Sequence, residues 1–142
     1  MKRLILMRHA KSDWTYAEPD HNRPLNPRGI AGARALGRWL DDGEWIPDEA
    51  IVSTARRTRE TWGLLGLDTA ARFSPSLYHA EPSTMLALMR ASEGSTVLML
   101  GHNPGLFAFA KTLPTALPDH PRFRDYPAGG TLVLDFDITR WS

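Results

Sequence analysis

The sequence predicts an α/β fold with a mostly parallel central sheet and helices on both faces. Short apolar runs that are typical of buried strands alternate along the chain with segments whose apolar residues have helical spacing. Several of these runs end at polar residues, and ligands bind at the carboxyl ends of the strands in such sheets. The chain has 142 residues, which is the length of one ordinary domain, so we expect a single domain over residues 1–142.

The predicted strands and helices alternate for most of the chain. Strands are predicted where apolar runs are compact, at 3–7, 50–52, 96–100 and 131–136. Helices are predicted where apolar residues recur every three or four positions, at 29–40, 56–65, 82–91 and 106–113. The stretch 10–28 holds three prolines and is expected to be a long loop. Residues 114–129 carry four prolines and are expected to be irregular.

Composition and simple motifs exclude several classes of site. The chain has no cysteine, which rules out disulfides, thiolate metal ligands and a cysteine nucleophile. Its 17 basic and 16 acidic residues nearly balance, so we expect neither nucleic-acid nor membrane partners. HExxH, Walker and GxGxxG motifs are absent from the sequence, so we expect no metal and no cofactor. The amino-terminal apolar run is too short for a signal peptide, which favours a cytoplasmic location.

Polar side chains follow three of the predicted strands. Arg8 and His9 come after the first strand, Ser53 and Arg57 after the second, and His102 after the strand at 96–100. If these strands are parallel, the side chains meet at one edge of the sheet. Two arginines and two histidines there suit a dianion such as phosphate, because guanidinium groups match its oxygens and keep their charge. Taken one at a time, each could instead be an ordinary strand-end or loop residue.

Such a site has the groups that phosphoryl transfer requires. An imidazole attacks phosphorus when its attacking nitrogen is unprotonated and its other nitrogen is held by a backbone acceptor. A second imidazole can donate to the phosphate oxygens and stabilise the transition state. Around the second cluster, Ser53, Arg57 and Thr61 are spaced four apart and would share one helix face, whereas Arg56 and Arg59 would face solvent.

Three segments resemble the signatures of a known family in order and spacing. LILMRHAKSDW, VSTARRTRET and VLMLGHNPG are similar to those of the histidine phosphatase superfamily, in its short SixA-like branch, and RPLNPRG is similar to the segment that opens its first helix. The first signature contains the RHG motif with Ala10 in place of glycine, and Thr54 replaces the usual proline of the second. The resemblance implies a phosphoglycerate-mutase-like core without a large cap. It also implies His9 as the phosphorylated nucleophile, with Arg8, Arg57, His102 and Ser53 binding the substrate phosphate.

The resemblance implies a metal-independent phosphatase that forms a covalent phosphohistidine and acts on phosphohistidine in proteins. Two alternatives remain open: a broad phosphomonoesterase acting on small phosphate esters, and a non-catalytic module that binds a phosphorylated partner. Larger family members carry a glutamate general acid on a helical insert, for which this chain has little room. Glu81 is the candidate for that role, with His79 as the second choice, although Glu81 could instead be a carboxylate at a helix start beside Pro82.

Overall fold

A five-stranded sheet forms the centre of the protein, in a computed structural model that describes residues 1–15, 18–113 and 126–141. The strands are β1 (Lys2–Arg8), β2 (Glu49–Ser53), β3 (Ala71–Ser74), β4 (Thr96–Gly101) and β5 (Thr131–Phe136). Their order across the sheet is β3-β2-β4-β1-β5. All neighbouring pairs are parallel except β1 and β5, which are antiparallel. The predicted, mostly parallel sheet is therefore confirmed.

Among the described residues, four α-helices connect the strands, and local sequence explains where they begin and end. They are α1 (Pro27–Asp42), α2 (Arg56–Leu65), α3 (Pro82–Arg90) and α4 (Gly105–Ala110). Helix α1 begins after Asn26, whose side-chain oxygen accepts from the Gly29 amide at 2.8 Å. Helix α2 ends at Gly66, whose φ of 69° lies in the left-handed region that glycine adopts without steric cost.

The two faces of the sheet bury separate apolar clusters under different helices. Alternate residues of β1 point to opposite faces, as the two-residue period of a strand requires. Leu4 and Leu6 belong to the cluster that contains Met85 of α3 and Phe109 of α4. The intervening β1 residues, Ile5 and Met7, lie in the other cluster. That cluster also contains Leu40 of α1 and Leu65 of α2. Helices therefore cover both faces, as predicted.

The structure differs from the sequence prediction at three places, and most of the stretch 114–129, predicted to be irregular, lies outside the described residues. Strand β3 was not predicted, because Arg72 and Phe73 are exposed and the strand pairs only with β2 at the edge of the sheet. Ser53 ends β2 and is not part of α2, so the proposed helix face that included it is wrong. Helix α4 is shorter than the predicted 106–113. Within 114–129, only residues 126–129 are described, and they form no helix or strand.

Candidate active site

The carboxyl ends of β2, β4 and β1 lie side by side and bring the sequence-predicted residues together. His9 follows β1, Ser53 ends β2 and His102 follows β4, and all three side chains are buried. The ring centroids of His9 and His102 are 5.4 Å apart. Arg57, in the first turn of α2, is also buried and contacts His102. The three polar clusters of the sequence therefore converge at one edge of the sheet.

His9 has one ring nitrogen fixed by the backbone. Its Nδ1 lies 2.7 Å from the carbonyl oxygen of Ala10, and a carbonyl can only accept, so Nδ1 carries the proton and donates it. Burial, and to a lesser extent the charges of Arg57, Arg8 and Arg23, lower the pKa of His9 to about 4, although the Ala10 hydrogen bond acts in the opposite direction. The ring is therefore neutral near pH 7. Its Nε2 then carries a lone pair that is available for attack.

Backbone hydrogen bonds hold the chain where it leaves β1. The His9 amide donates to Gly101 of β4 at 3.2 Å, and the Gly129 amide donates to the His9 carbonyl at 2.9 Å. The Ala10 amide donates to the Thr61 hydroxyl at 3.1 Å, and that hydroxyl donates to the Arg57 carbonyl at 2.7 Å. Arg57 and Thr61 are buried on one face of α2, as predicted, so Thr61 links the helix that carries Arg57 to the loop that carries His9.

His102 has both ring nitrogens engaged by side chains. Its Nδ1 lies 3.3 Å from Nη2 of Arg57, and its Nε2 lies 2.8 Å from the Ser53 hydroxyl. Arg57 can only donate, so Nδ1 accepts and Nε2 carries the proton that is donated to Ser53. Burial, followed by the charge of Arg57, lowers the pKa of His102 to about 2. His102 is therefore neutral and held in a fixed orientation between Ser53 and Arg57.

Two arginines of the site are fixed by contacts outside the predicted set. Nη1 of Arg8 donates to the backbone carbonyl of Tyr126 at 3.1 Å, and Nδ2 of Asn103 donates to the same oxygen at 3.0 Å. Nη1 of Arg57 donates to the backbone carbonyl of Asp20 at 2.7 Å, and Nη2 donates to its carboxylate at 3.1 Å. Nε of Arg57 is buried and has no hydrogen-bond partner among the described residues. A buried donor of this kind is expected to meet an acceptor when the site is occupied.

Asp20 is a site residue that the sequence interpretation missed. It lies in a 3-10 turn, Asp20–Asn22, within the stretch interpreted only as a loop. Its carboxylate accepts from Arg57, from Arg23 at 3.2 Å and from the hydroxyl of Tyr78. Burial raises the pKa of Asp20, but the hydrogen bonds from Tyr78 and Arg57 outweigh burial and hold this pKa well below its usual range. Asp20 is therefore a carboxylate at any pH near neutrality.

Arg23 and Tyr78 reach the same carboxylate from different parts of the chain. Arg23 is buried, donates to Ser12 at 2.8 Å and stacks on the exposed Trp14, with its guanidinium carbon 3.4 Å from the ring centroid. The sequence signal for Arg23 was its place at the start of RPLNPRG. Tyr78 follows β3 through a second 3-10 turn, Pro75–Leu77. Because β3 was not predicted, no sequence signal pointed to Tyr78.

The two candidate general acids line an open cleft beside His102. The cleft has a volume of about 480 Å³ and is lined by His79, Glu81, Asn103 and neighbouring residues. Glu81 is exposed and immediately precedes α3, without accepting a hydrogen bond from the helix amides with its side chain. His79 is nearer the site: its Nε2 lies 3.4 Å from the Asp20 carboxylate, and its ring centroid lies 5.9 Å from that of His102.

Two further properties concern the part of the chain that the structure describes. There, no three histidine, aspartate or glutamate side chains are grouped as ligands for a metal ion. No helix within 1–15, 18–113 and 126–141 combines the length and apolar character needed to cross a membrane.

Comparison with known proteins identifies relatives that share this architecture. The sequence profile of the histidine phosphatase superfamily (branch 1) matches residues 4–77. An uncharacterized protein of Mycobacterium leprae is 36% identical over 95% of this chain and 89% of its own length. A SixA protein of Nakamurella multipartitia superposes with a TM-score of 0.78 and 33% identity, over 93% of this chain and 83% of that one. A SixA protein of Agrobacterium tumefaciens superposes with a TM-score of 0.83 and 30% identity, over 94% of this chain and 91% of that one. Both SixA proteins are assigned as phosphohistidine phosphatases.

The fold and these relatives define an enzyme of the phosphatase class. The chain belongs to the histidine phosphatase superfamily (branch 1), and its likeness to the two SixA structures lies in the SixA-like branch of that superfamily. The resemblance that the three sequence signatures carried is therefore confirmed, together with the α/β fold. The family assignment also favours an enzyme over the non-catalytic phosphate-binding module that the sequence left open.

Proposed function

We propose that this phosphatase hydrolyses phosphohistidine in proteins through a covalent phosphohistidine on His9. One observation carries the proposal: His9 is neutral, its Nδ1 is committed to the Ala10 carbonyl, and its Nε2 lone pair remains for attack. Arg8, Arg57, Ser53 and His102 form the proposed phosphate pocket around it. The two SixA relatives support the substrate class.

The reaction proceeds in two displacements at phosphorus. In the first, Nε2 of His9 attacks, a new P–N bond forms, and the bond from phosphorus to the substrate imidazole breaks. The leaving imidazole keeps the electron pair and takes a proton from solvent. In the second, water attacks phosphorus and the bond to Nε2 breaks, which returns neutral His9 and releases phosphate. Each step needs in-line geometry and charge stabilisation, and neither step needs a metal ion.

The pocket supplies positive charge and hydrogen bonds to the phosphate oxygens. Arg8 and Arg57 keep their charge at all relevant pH values. The buried Nε of Arg57 provides a donor that the described residues leave unused. A bound dianion raises the pKa of His102, so that its Nδ1 can gain a proton and donate to a phosphate oxygen while Nε2 stays on Ser53. His102 thereby becomes a cation only when the substrate is present.

The proposed substrate class follows from the leaving group and the open cleft. A serine alkoxide needs a proton donor, whereas imidazole is a far better leaving group near neutral pH. Glu81 is exposed, and within the described part of the chain its side chain makes no capping hydrogen bond that would fix it over the pocket. The cleft beside His102 leaves room for a protein-borne phosphoryl group. A small phosphate ester as the physiological substrate is the competing proposal.

Three broader properties belong to the same proposal. Residues 1–142 form one catalytic domain, the reaction needs neither metal nor cofactor, and the enzyme acts in the cytoplasm on a phosphorylated protein. The sequence has no cysteine and no metal-binding motif, so thiolate and zincin mechanisms are excluded. This supports a reaction that needs no metal.

The test compares kcat/KM on a phosphohistidine peptide, a matched phosphoserine peptide and p-nitrophenyl phosphate, each with and without EDTA. We expect the phosphohistidine peptide to be the best substrate, EDTA to have no effect, and vanadate to inhibit. A preference for p-nitrophenyl phosphate over both peptides would instead support the small-ester phosphatase. Activity that is lost with EDTA and restored by added metal would contradict the metal-independent mechanism.

A further inference from the structure

The carboxylate of Asp20 lies between two buried arginines, Arg57, which the sequence predicted at the site, and Arg23, which only the structure places beside it. Oδ2 is 3.1 Å from Nη2 of Arg57, and Oδ1 is 3.1 Å from Nη2 of Arg23. The side chains of Arg57 and Arg23 are 4% and 7% exposed, so their charges are poorly screened by water. A full negative charge therefore stands beside the cations that must attract a phosphate dianion.

Asp20 contacts one edge of the Arg57 guanidinium and does not contact the other edge. The terminal edge, Nη1 and Nη2, faces the carbonyl and the carboxylate of Asp20. Nε and Nη2 share the second edge, where Nη2 contacts His102 and Nε has no partner among the described residues. A guanidinium can bind two oxyanions at once through two such edges. Phosphate can therefore bind Arg57 without expelling Asp20, and the two anions are then close neighbours.

We propose that Asp20 is a counter-charge that weakens the hold of the pocket on phosphate and thereby speeds release of the product. Asp20 touches no reacting atom and acts through Arg57 and Arg23, so it is a positioning and charge-tuning residue. This inference rests on the proposed function, because it requires that phosphate is the product in the pocket. A site with four cationic or donor groups and no opposing charge would retain a dianion, and slow release would limit turnover.

The decisive variant is Asp20→Asn, which removes the charge and keeps the shape and a hydrogen-bonding oxygen. We expect inorganic phosphate to bind about tenfold more tightly, as the loss of one like charge a few ångströms away implies at a partly screened site. KM for the phosphohistidine peptide and kcat should both fall, because the product leaves more slowly. A purely structural role for Asp20 predicts the opposite sign, since a disordered Arg57 would bind phosphate more weakly.

Asp20→Ser provides a second variant with the same expected sign. The Arg57 contact to the backbone carbonyl of residue 20 persists in any substitution, so the arginine stays anchored. Asp13→Asn is the matched control, because it removes the same charge from the same loop. The Asp13 carboxylate bonds only to Thr15 among the described residues, and phosphate affinity should stay within about twofold.

Phosphate affinity is measured by calorimetry on the folded proteins, so the readout does not depend on turnover. If phosphate bound to both Asp20 variants as tightly as to the unsubstituted protein, or more weakly, the proposal that Asp20 is a counter-charge would be overturned. Failure of the proposed function is distinguishable: the unsubstituted protein would then show no phosphohistidine turnover. If it turns over phosphohistidine and only the Asp20 variants depart from expectation, only this inference is wrong.

Discussion

The ends of β1 and β4 are the most alike parts of the site, yet their histidines have different surroundings. His9 and His102 each follow a buried parallel strand, both are buried, and burial lowers the pKa of both. The backbone carbonyl of Ala10 holds one nitrogen of His9, whereas side chains engage both nitrogens of His102. A backbone acceptor fixes the tautomer and leaves a nucleophile. Two side-chain partners fix the ring of His102 and leave an imidazole that can gain a proton when a ligand binds.

This difference assigns the two histidines to different parts of the reaction. A nucleophile must stay neutral when the dianion arrives, and burial together with the charges of the nearby arginines serves that need, while the Ala10 carbonyl fixes the tautomer. A transition-state donor must gain a proton when negative charge approaches, and the contact between His102 and Arg57 can be exchanged for one with phosphate. An exchange of the two roles between the histidines would therefore reduce activity. Substitutions of His9 and of His102 should accordingly affect the reaction in different ways.

The largest expected effect is that of His9→Ala. Without the nucleophile we expect kcat to fall by about 10⁴-fold or more, because no covalent intermediate can form. Quenching without acid during turnover should trap an acid-labile phosphate in the unsubstituted enzyme and none in the variant. Full activity in a folded His9→Ala protein would contradict the assignment, and circular dichroism provides the control for folding.

A smaller and different loss is expected for His102→Ala. The variant removes a donor from the transition state of both displacements, so kcat should fall by about 10²–10³-fold on every substrate. Phosphate on His9 should still be trapped, because the nucleophile is intact and forms the intermediate slowly. The measurement is the rate of phosphoenzyme formation in a rapid-quench experiment. If the variant formed no phosphoenzyme at all, His102 and not His9 would be the better candidate for the nucleophile.

The sequence predicted this pair of strand ends well because the relevant signals are local. A buried strand ends where apolar residues give way to Arg8-His9 or to Gly101-His102, and parallel pairing brings such ends together. Nothing beyond the order of strands and helices was needed to place those side chains at one edge. The same local logic identified Arg57, four positions after Ser53, although Ser53 belongs to β2 and not to the helix.

The outer part of the site depended on contacts between distant segments, which no local pattern reports. Tyr78 and Asp20 are 58 positions apart and are joined by a hydrogen bond. Strand β3 leads to Tyr78, and it was missed because an edge strand with exposed side chains lacks the apolar alternation that marks a strand. A sequence also cannot tell which arginine in RPLNPRG is buried, since Arg23 is held by the distant partners Ser12 and Asp20.

The lowered pKa values of both histidines predict that the free energy of unfolding depends on pH. The folded pKa values of about 4 and about 2 lie below the ordinary 6.5, so the unfolded chain binds protons that the native protein does not. Stability is therefore fully present above pH 6.5 and falls as the pH drops below it. Each histidine should contribute about 1.4 kcal/mol per pH unit at most. Urea titrations at pH 7, 6 and 5 measure this slope.

The control for the pH experiment is His102→Gln, which keeps a polar side chain and removes one titrating group. The slope between pH 6 and pH 5 should fall to about half of its original value. The carboxylate of Asp20 does not interfere, since a lowered carboxyl pKa affects stability only at lower pH, below the ordinary value of 3.8. An unchanged slope in the variant would show that His102 is not held neutral in the folded protein.

The smallest expected effect is that of Glu81→Gln. This variant tests whether the cleft contributes to catalysis in addition to the residues at the strand ends. Glu81 is exposed and lines the cleft, and its side chain makes no capping hydrogen bond to α3 that would hold it in place. An alkoxide leaving group gains about 10²–10⁴-fold from a positioned acid, whereas imidazole does not need one. We therefore expect kcat/KM for the phosphohistidine peptide to stay within about twofold, while any activity on alkyl phosphate esters falls. Glu93→Gln, exposed just beyond the other end of α3, is the matched control and should change neither activity. Equal losses of orders of magnitude on both substrates would make Glu81 a general acid, and the small-ester phosphatase would then be the better assignment.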